Sequence, residues 1–140
     1  MTLTAIGKGL HVQVRNFFSD DEEEKADRVV SKWAHDLKNH VTEALATNLK
    51  GQHLCPLLVR LEPRQKVPAA LCFHPGDEFV YCLSGQIECN VGEQNIILTS
   101  GDAITYKGMI PHCMKNAAST RSEALVVFEL GRRHAHYHSL

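Results

Sequence analysis

From residue 54 onward, apolar and polar residues recur with the two-residue period of β-strands, in short segments separated by turn residues. Short strands at this spacing are typical of a barrel or a sandwich. The fold class is therefore predicted to be all-β. The predicted strands are Leu54–Leu61, Ala69–His74, Glu78–Leu83, Gln86–Val91, Gln94–Leu98, Ala103–Lys107, His112–Asn116 and Glu123–Leu130.

Residues 1–40 have a different pattern, which predicts an arm followed by one helix that packs on the barrel. Ser19-Asp20 is a good N-cap, and the acidic residues that follow stabilise the positive end of a helix dipole. Residues 41–140 are then the barrel, and the chain is one domain. Val41–Ala46 fits either a further strand or a continuation of the helix. The apolar face of the helix is Val29, Val30, Trp33 and Leu37.

Composition and charge narrow the function. The chain has 15 basic and 16 acidic residues, so there is no electrostatic reason to expect nucleic acid or a membrane as a partner. One acidic helix is also too little for a DNA-reading module. No apolar run is long enough to span a bilayer, and a cytoplasmic protein is expected. The odd number of cysteines predicts reduced core residues. They are Cys55, Cys72, Cys82, Cys89 and Cys113.

Two stretches carry the candidate chemistry. In the first, Cys72 and His74 point the same way in a strand, and Pro75-Gly76 then predicts a type II turn. Glu78 follows at the start of the next strand, so His74 and Glu78 meet across a turn. The second stretch runs from Gly101-Asp102 to Pro111-His112 and Asn116.

Together the two stretches resemble the paired motifs of the cupin superfamily. His74, Glu78 and Gly85 match the first motif, while Cys72 stands where a histidine is usual. In the second motif Lys107 and Met109 replace the usual proline and glycine. The resemblance implies a double-stranded β-helix, a jelly-roll-like barrel. Residues 41–63 and the phrase His-Pro-Gly-Asp-Glu-Phe-Val-Tyr resemble, more narrowly, the C-terminal sensor domains of helix-turn-helix cupin regulators.

The resemblance also implies a divalent metal site built from His74, Glu78 and His112, with Cys72 as a fourth candidate. Two imidazoles and a carboxylate suit iron, manganese, nickel or zinc, and these donors do not select among them. Each residue has a structural alternative. Glu78 pairs with a buried base or caps the hairpin, His112 is a core histidine, and Cys72 is a small core residue.

Three functions fit the sequence. The first is a small-molecule-binding sensor domain with a metal site, and the second is a non-haem metal-dependent oxygenase or another small-molecule cupin enzyme. The third is an interaction module with a degenerate site. A homodimer is expected under all three. Further polar candidates for the site are Arg60, Tyr81, Gln86, Tyr106 and Lys107, and the tail His134, His136 and His138 is either a metal tract or a surface tail.

Overall fold

The structure, a computed structural model, describes residues 28, 30 and 42–130. The predicted N-terminal arm and helix lie outside the described residues except for Arg28 and Val30, and the histidine tail lies wholly outside them. Every element among the described residues is a strand. The nine strands are β1 (Thr42–Ala44), β2 (Leu54–Leu61), β3 (Lys66–Cys72), β4 (Asp77–Ser84), β5 (Gln86–Val91), β6 (Gln94–Thr99), β7 (Ala103–Lys107), β8 (His112–Asn116) and β9 (Ser122–Glu129).

The strands form two antiparallel sheets, a five-stranded one with the order β1-β2-β9-β4-β7 and a four-stranded one with the order β3-β8-β5-β6. The order is not that of the chain, because the connections cross between the sheets. This arrangement is the predicted double-stranded β-helix, so the all-β prediction is confirmed.

The core lies between the sheets, because each strand turns alternate side chains inward. In β9 the buried positions are Ser122, Ala124, Val126 and Phe128, and the residues between them are partly exposed. The other inward side chains include Cys55, Leu57, Val59, Leu61, Val80, Cys82, Ile87, Cys89, Leu98 and Met114.

Two strands differ from the sequence prediction. β1 pairs with β2 in the register Thr42↔Val59, so the helical interpretation of this segment is wrong for Thr42–Ala44. β3 begins at Lys66, earlier than predicted, and includes Pro68. A proline is tolerated there because β3 is an edge strand, where a missing N–H costs no ladder bond.

All five cysteines lie among the described residues, and each is buried and unpaired. This agrees with the prediction of reduced core residues. Among the described residues there is no helix that is long and apolar enough to cross a membrane.

Candidate metal centre

Three side chains converge between the sheets. The Nε2 atom of His74 lies 2.7 Å from Glu78 Oε1, and the Nε2 atom of His112 lies 3.3 Å from the same oxygen. The three ligand atoms all lie within 4.8 Å of one another. Each of the three residues is only 2% exposed. His74, Glu78 and His112 therefore converge as the two sequence motifs predicted, whereas Cys72, the fourth residue of that prediction, is not part of the group.

A tight turn delivers two of these side chains. His74 follows β3, and Glu78 is the second residue of β4, so the turn at Pro75-Gly76 brings them face to face. Gly76 has a φ of +88°, which the second central position of the predicted turn requires. His112 arrives from the other motif as the first residue of β8, directly opposite Cys72 of β3.

The loop between β7 and β8 locks the turn in place. The Gly108 carbonyl accepts a hydrogen bond from His74 N at 2.9 Å, and Gly108 N donates to the Gly76 carbonyl at 2.7 Å. A Cβ atom at position 108 would lie 2.6 Å from both the His74 ring and the Gly76 oxygen. Only glycine permits this close approach.

Hydrogen bonds to backbone carbonyls orient both imidazoles. His74 Nδ1 lies 3.1 Å from the Pro75 oxygen, and His112 Nδ1 lies 2.7 Å from the Ile110 oxygen. A carbonyl only accepts, so both Nδ1 atoms are assigned as N–H donors. In a neutral ring the lone pair is then on Nε2, which faces the site in both histidines.

Tyr106 completes the surroundings of Glu78. It lies opposite Glu78 in the β4–β7 pair, and its hydroxyl donates to Glu78 Oε2 at 2.6 Å. The Tyr106 ring also packs against His112, with ring centroids 4.9 Å apart. The two oxygens of Glu78 therefore have separate roles: Oε2 is held by Tyr106, and Oε1 faces both histidines.

The charges of the cluster stabilise one another. Burial raises the pKa of Glu78, but hydrogen bonds and charge from His112 and His74 outweigh burial and lower it to about 2. Burial lowers the pKa of His112, but its hydrogen bonds with Cys72 and Glu78 and the Glu78 charge raise it to about 10. Burial, together with the charge and hydrogen bond of Glu78, raises the pKa of Tyr106 far above its ordinary value. Tyr106 is therefore a neutral donor.

Cys72 lies beside the cluster without joining it. Its Sγ atom is 3.9 Å from His112 Nε2, and Cys72 is not one of the three residues whose ligand atoms converge. The side chain is buried in the core.

Of the further polar candidates, only Tyr106 reaches the site. Arg60 lies on the opposite face of β2, where Nη2 is 3.0 Å from Glu43 Oε1. Lys107 is exposed and pairs with Asp77 at 3.3 Å. Tyr81 is partly exposed and Gln86 is exposed.

Two residues that position the site were not singled out from the sequence in these roles. Gly108 precedes Met109, where the motif's usual glycine is missing, and it makes the close contact with His74. The role of Tyr106 depends on the register of two strands that are distant in the chain. A glycine and a tyrosine between Gly101-Asp102 and His112 were the only sequence signals.

Comparisons with known proteins agree with this geometry. A family model described as "Cupin domain" matches residues 57–128, just over half of the chain. No curated protein matches the sequence.

Solved structures share the fold at low sequence identity. The Cupin_2 domain of an XRE family transcriptional regulator from Enterobacter cloacae is 17% identical with a TM-score of 0.59, and the match covers 66% of this chain and 97% of that chain. A predicted oxalate decarboxylase from Thermotoga maritima is 22% identical with a TM-score of 0.57, covering 64% of this chain and 78% of that one. FeII HppE in complex with substrate is 20% identical with a TM-score of 0.56, covering 76% of this chain and 60% of that one.

At these identities the solved structures establish a common fold. The family match is evidence from the sequence, and the matched residues include the β3–β4 turn, Glu78 and His112. The paired sheets, the two motifs and the family match lead to one conclusion: the chain belongs to the cupin family.

Proposed function

We propose that this protein is a small-molecule-binding cupin domain that holds a divalent metal ion through His74, Glu78 and His112, and that it serves as a sensor or regulatory module. The observation that carries the proposal is the orientation of the acceptor atoms. Each Nδ1 atom faces a backbone carbonyl and each Nε2 atom faces Glu78 Oε1, so with Nδ1 as the donor in each ring the three converging atoms are acceptors.

Three acceptors that face each other require a cation between them. In the metal-free protein the cation is a proton, which agrees with the raised pKa of His112. A divalent ion supplies a larger charge to the same atoms. Separations of 2.7 and 3.3 Å are close to the ~3 Å between adjacent ligands of a metal whose bonds are about 2.1 Å long.

When bound, the metal would provide positive charge and open coordination positions for a ligand, since the protein supplies three donors. Iron, manganese, nickel and zinc all fit two imidazoles and one carboxylate. The protein's own contribution is to orient the rings, to fix Glu78 through Tyr106 and to exclude water from the buried site.

A regulatory role draws support from the Enterobacter cloacae structure, which is a cupin domain of a transcriptional regulator. The alternative is a metal-dependent enzyme, such as an oxygenase. Its support is the three-donor site, which leaves positions for a substrate. The two other structures are named as an oxalate decarboxylase and as FeII HppE with substrate. Among the described side chains, the further groups in hydrogen-bond contact with the triad are the Tyr106 hydroxyl and the Cys72 thiol, and this small number favours binding over catalysis.

Metal analysis of protein purified without added metal tests the proposal. We expect about one metal ion per chain in the wild type and a loss of at least tenfold in His112→Ala. His53→Ala is the matched control, because His53 is exposed and is not one of the three converging residues. Equal metal contents in wild type and His112→Ala would show that the triad does not bind the metal. The interaction module with a degenerate site would then be the remaining function.

Oxygen consumption separates the sensor from an oxygenase. The iron(II)-loaded protein is mixed with small organic acids, and dissolved oxygen is followed with an electrode. A sensor consumes no oxygen above the rate of its His112→Ala variant. Consumption that depends on both the acid and His112 would establish the enzyme.

A further inference from the structure

A small cavity lies beside the triad. Glu78 and His112 are among the residues that line it. Its remaining wall is apolar, or formed by thiols, and comes from both sheets. The apolar lining includes Leu57, Val59, Val67, Pro68, Met114 and Val126.

The cavity lies where the wall of the barrel is irregular. β3 pairs with β8 at Val67↔Met114 and again at Cys72↔His112, so five steps along β3 correspond to two along β8. Regular pairing of the two strands is therefore interrupted between Val67 and Cys72. Val67, Pro68 and Cys72 on the β3 side and Met114 on the β8 side all line the cavity.

Described residues also pack against other sides of the triad. Gly108 and the Gly76 carbonyl lie against the His74 ring, and the Tyr106 hydroxyl covers the second oxygen of Glu78. Phe128 packs on His74 with ring centroids 5.4 Å apart. Glu78 and His112 are accessible to a molecule in the cavity, because both line it.

The lining determines which molecules fit. No lysine or arginine among residues 42–130 lines the cavity, and Arg60 lies on the opposite face of β2 beside Glu43. A charged group that entered would lose its water and find no oppositely charged partner on the described walls, which disfavours its entry. The cavity volume is ≈ 10 Å³, about enough for one water molecule.

We infer that this cavity is the entry route to the triad, and that it favours small molecules that carry no charge beyond the atoms that contact the triad. Dicarboxylates and phosphonates are disfavoured as ligands, and small uncharged molecules are favoured. The statement that the ligand meets a metal ion rests on the function proposed above. The entry route and the selection against charge rest on the protein alone.

Cys72 provides a chemical test in the metal-free protein. Its thiol lines the cavity and is 1% exposed. Iodoacetamide and iodoacetate have nearly the same size, but only iodoacetate is charged. Each alkylates a cysteine in the same way: the thiolate forms a C–S bond, iodide leaves, and the thiol proton passes to water. Mass spectrometry of the digested protein gives the rate at each cysteine, and the urea-unfolded chain gives the intrinsic rates.

We expect iodoacetamide to modify Cys72 at least about tenfold faster than iodoacetate after this normalisation. Val67→Ala should widen the route and increase the iodoacetamide rate at Cys72, and Val67→Phe should decrease it. Leu71→Phe is the matched control, since Leu71 lies on the same strand but is 52% exposed. Cys89, which is buried and does not line the cavity, reports any general opening of the barrel.

Equal normalised rates for the two reagents would overturn the selection against charge. If Val67→Ala accelerated Cys72 and Cys89 alike, entry would occur by unfolding and the route would be wrong. If a thermal melt shows that Val67→Phe is not folded, Val67→Ala still tests the route. The comparison of iodoacetamide with iodoacetate still tests the selection against charge. Metal analysis is a separate measurement, so a chain that binds no metal refutes the proposed function without altering this result.

Discussion

At the scale of single residues, the carboxylate of Glu78 is the centre of the site. Its Oε2 atom accepts the Tyr106 hydroxyl at 2.6 Å, whereas Oε1 lies 2.7 Å from His74 Nε2. The hydroxyl therefore restrains the carboxylate, and Glu78 turns a single oxygen towards the two histidines. Substitution of a residue that supports a metal ligand in this way commonly lowers the metal affinity by about 10–100-fold.

Tyr106→Phe should accordingly weaken metal binding by about tenfold or more. The variant leaves Glu78 Oε2 without its donor while retaining the ring against His112. Affinity is measured by competition with a fluorescent chelator. Tyr81→Phe is the matched control, because Tyr81 lies on the same strand as Glu78 at a partly exposed position. An affinity for Tyr106→Phe within twofold of wild type would contradict the role of the hydroxyl.

The protonation of His112 predicts how metal binding depends on pH. The pKa of His112 is raised to about 10, so below that pH a metal ion must displace its second proton. Glu78, with a pKa of about 2, is ionised throughout. The apparent affinity should therefore rise with pH, by about tenfold per unit for one displaced proton, and continue rising above pH ~7.

Competition with the same chelator over this pH range provides the measurement. An ordinary imidazole has a pKa of about 6.5 and would give a plateau above neutral pH. Such a plateau would show that His112 is not held in its charged form by Glu78.

At the scale of elements, Asn116 joins the end of β8 to its neighbours. Its Nδ2 atom donates to the carbonyls of Leu61 and Thr120, both at 2.8 Å. Its Oδ1 atom accepts from Ala118 N and Ser122 Oγ, both at 2.7 Å. Asn116 thus connects β2, the β8–β9 loop and the start of β9.

Asn116→Ala should lower the free energy of unfolding by about 3 kcal/mol, because several buried groups lose their partner at once. Urea denaturation measures the change. Asn95→Ala is the control, since Asn95 is exposed on β6 and its removal should cost little. A similar small change in both variants would mean that water replaces the amide at position 116.

At the scale of the whole molecule, the triad draws on both sheets. Glu78 belongs to the five-stranded sheet, His112 belongs to the four-stranded sheet, and His74 lies in the connection between β3 and β4. A metal ion held by all three would therefore join the two layers. Binding to the folded state alone stabilises it by about 2.7 kcal/mol when the free metal exceeds the Kd a hundredfold.

Thermal unfolding with and without added metal checks this linkage. The Tm of the wild type should rise by several degrees, and the rise should grow with metal concentration. His112→Ala should show no metal-dependent rise, while His53→Ala should behave like the wild type. A rise of equal size in all three proteins would indicate metal bound elsewhere on the chain.

Much of the architecture could be predicted from local patterns. Alternation located β2 and β9, and the Pro75-Gly76 turn and the histidine at the start of β8 indicated which side chains would meet. The register between distant strands could not be predicted in this way. It places Tyr106 opposite Glu78 and interrupts the pairing of β3 with β8.

Arg60 shows what careful use of the two-residue period adds. Val59 and Leu61 face the core, so the residue between them must face outward, where Arg60 lies near Glu43 and Glu123. The prediction that Arg60 lies at the site is therefore wrong, because it did not take this alternation into account. The homodimer and the cytoplasmic location stay predictions, since the structure describes one chain.

The close contact at Gly108 has a consequence for how this site can change over time. A side chain there would occupy the space of the His74 imidazole, whereas the exposed neighbours Lys107 and Met109 have room for many residues. Substitutions at Lys107 and Met109 can therefore be tolerated, while position 108, which lies against His74, accepts only glycine. A steric constraint on this centre therefore falls on a residue that supplies it with no donor atom.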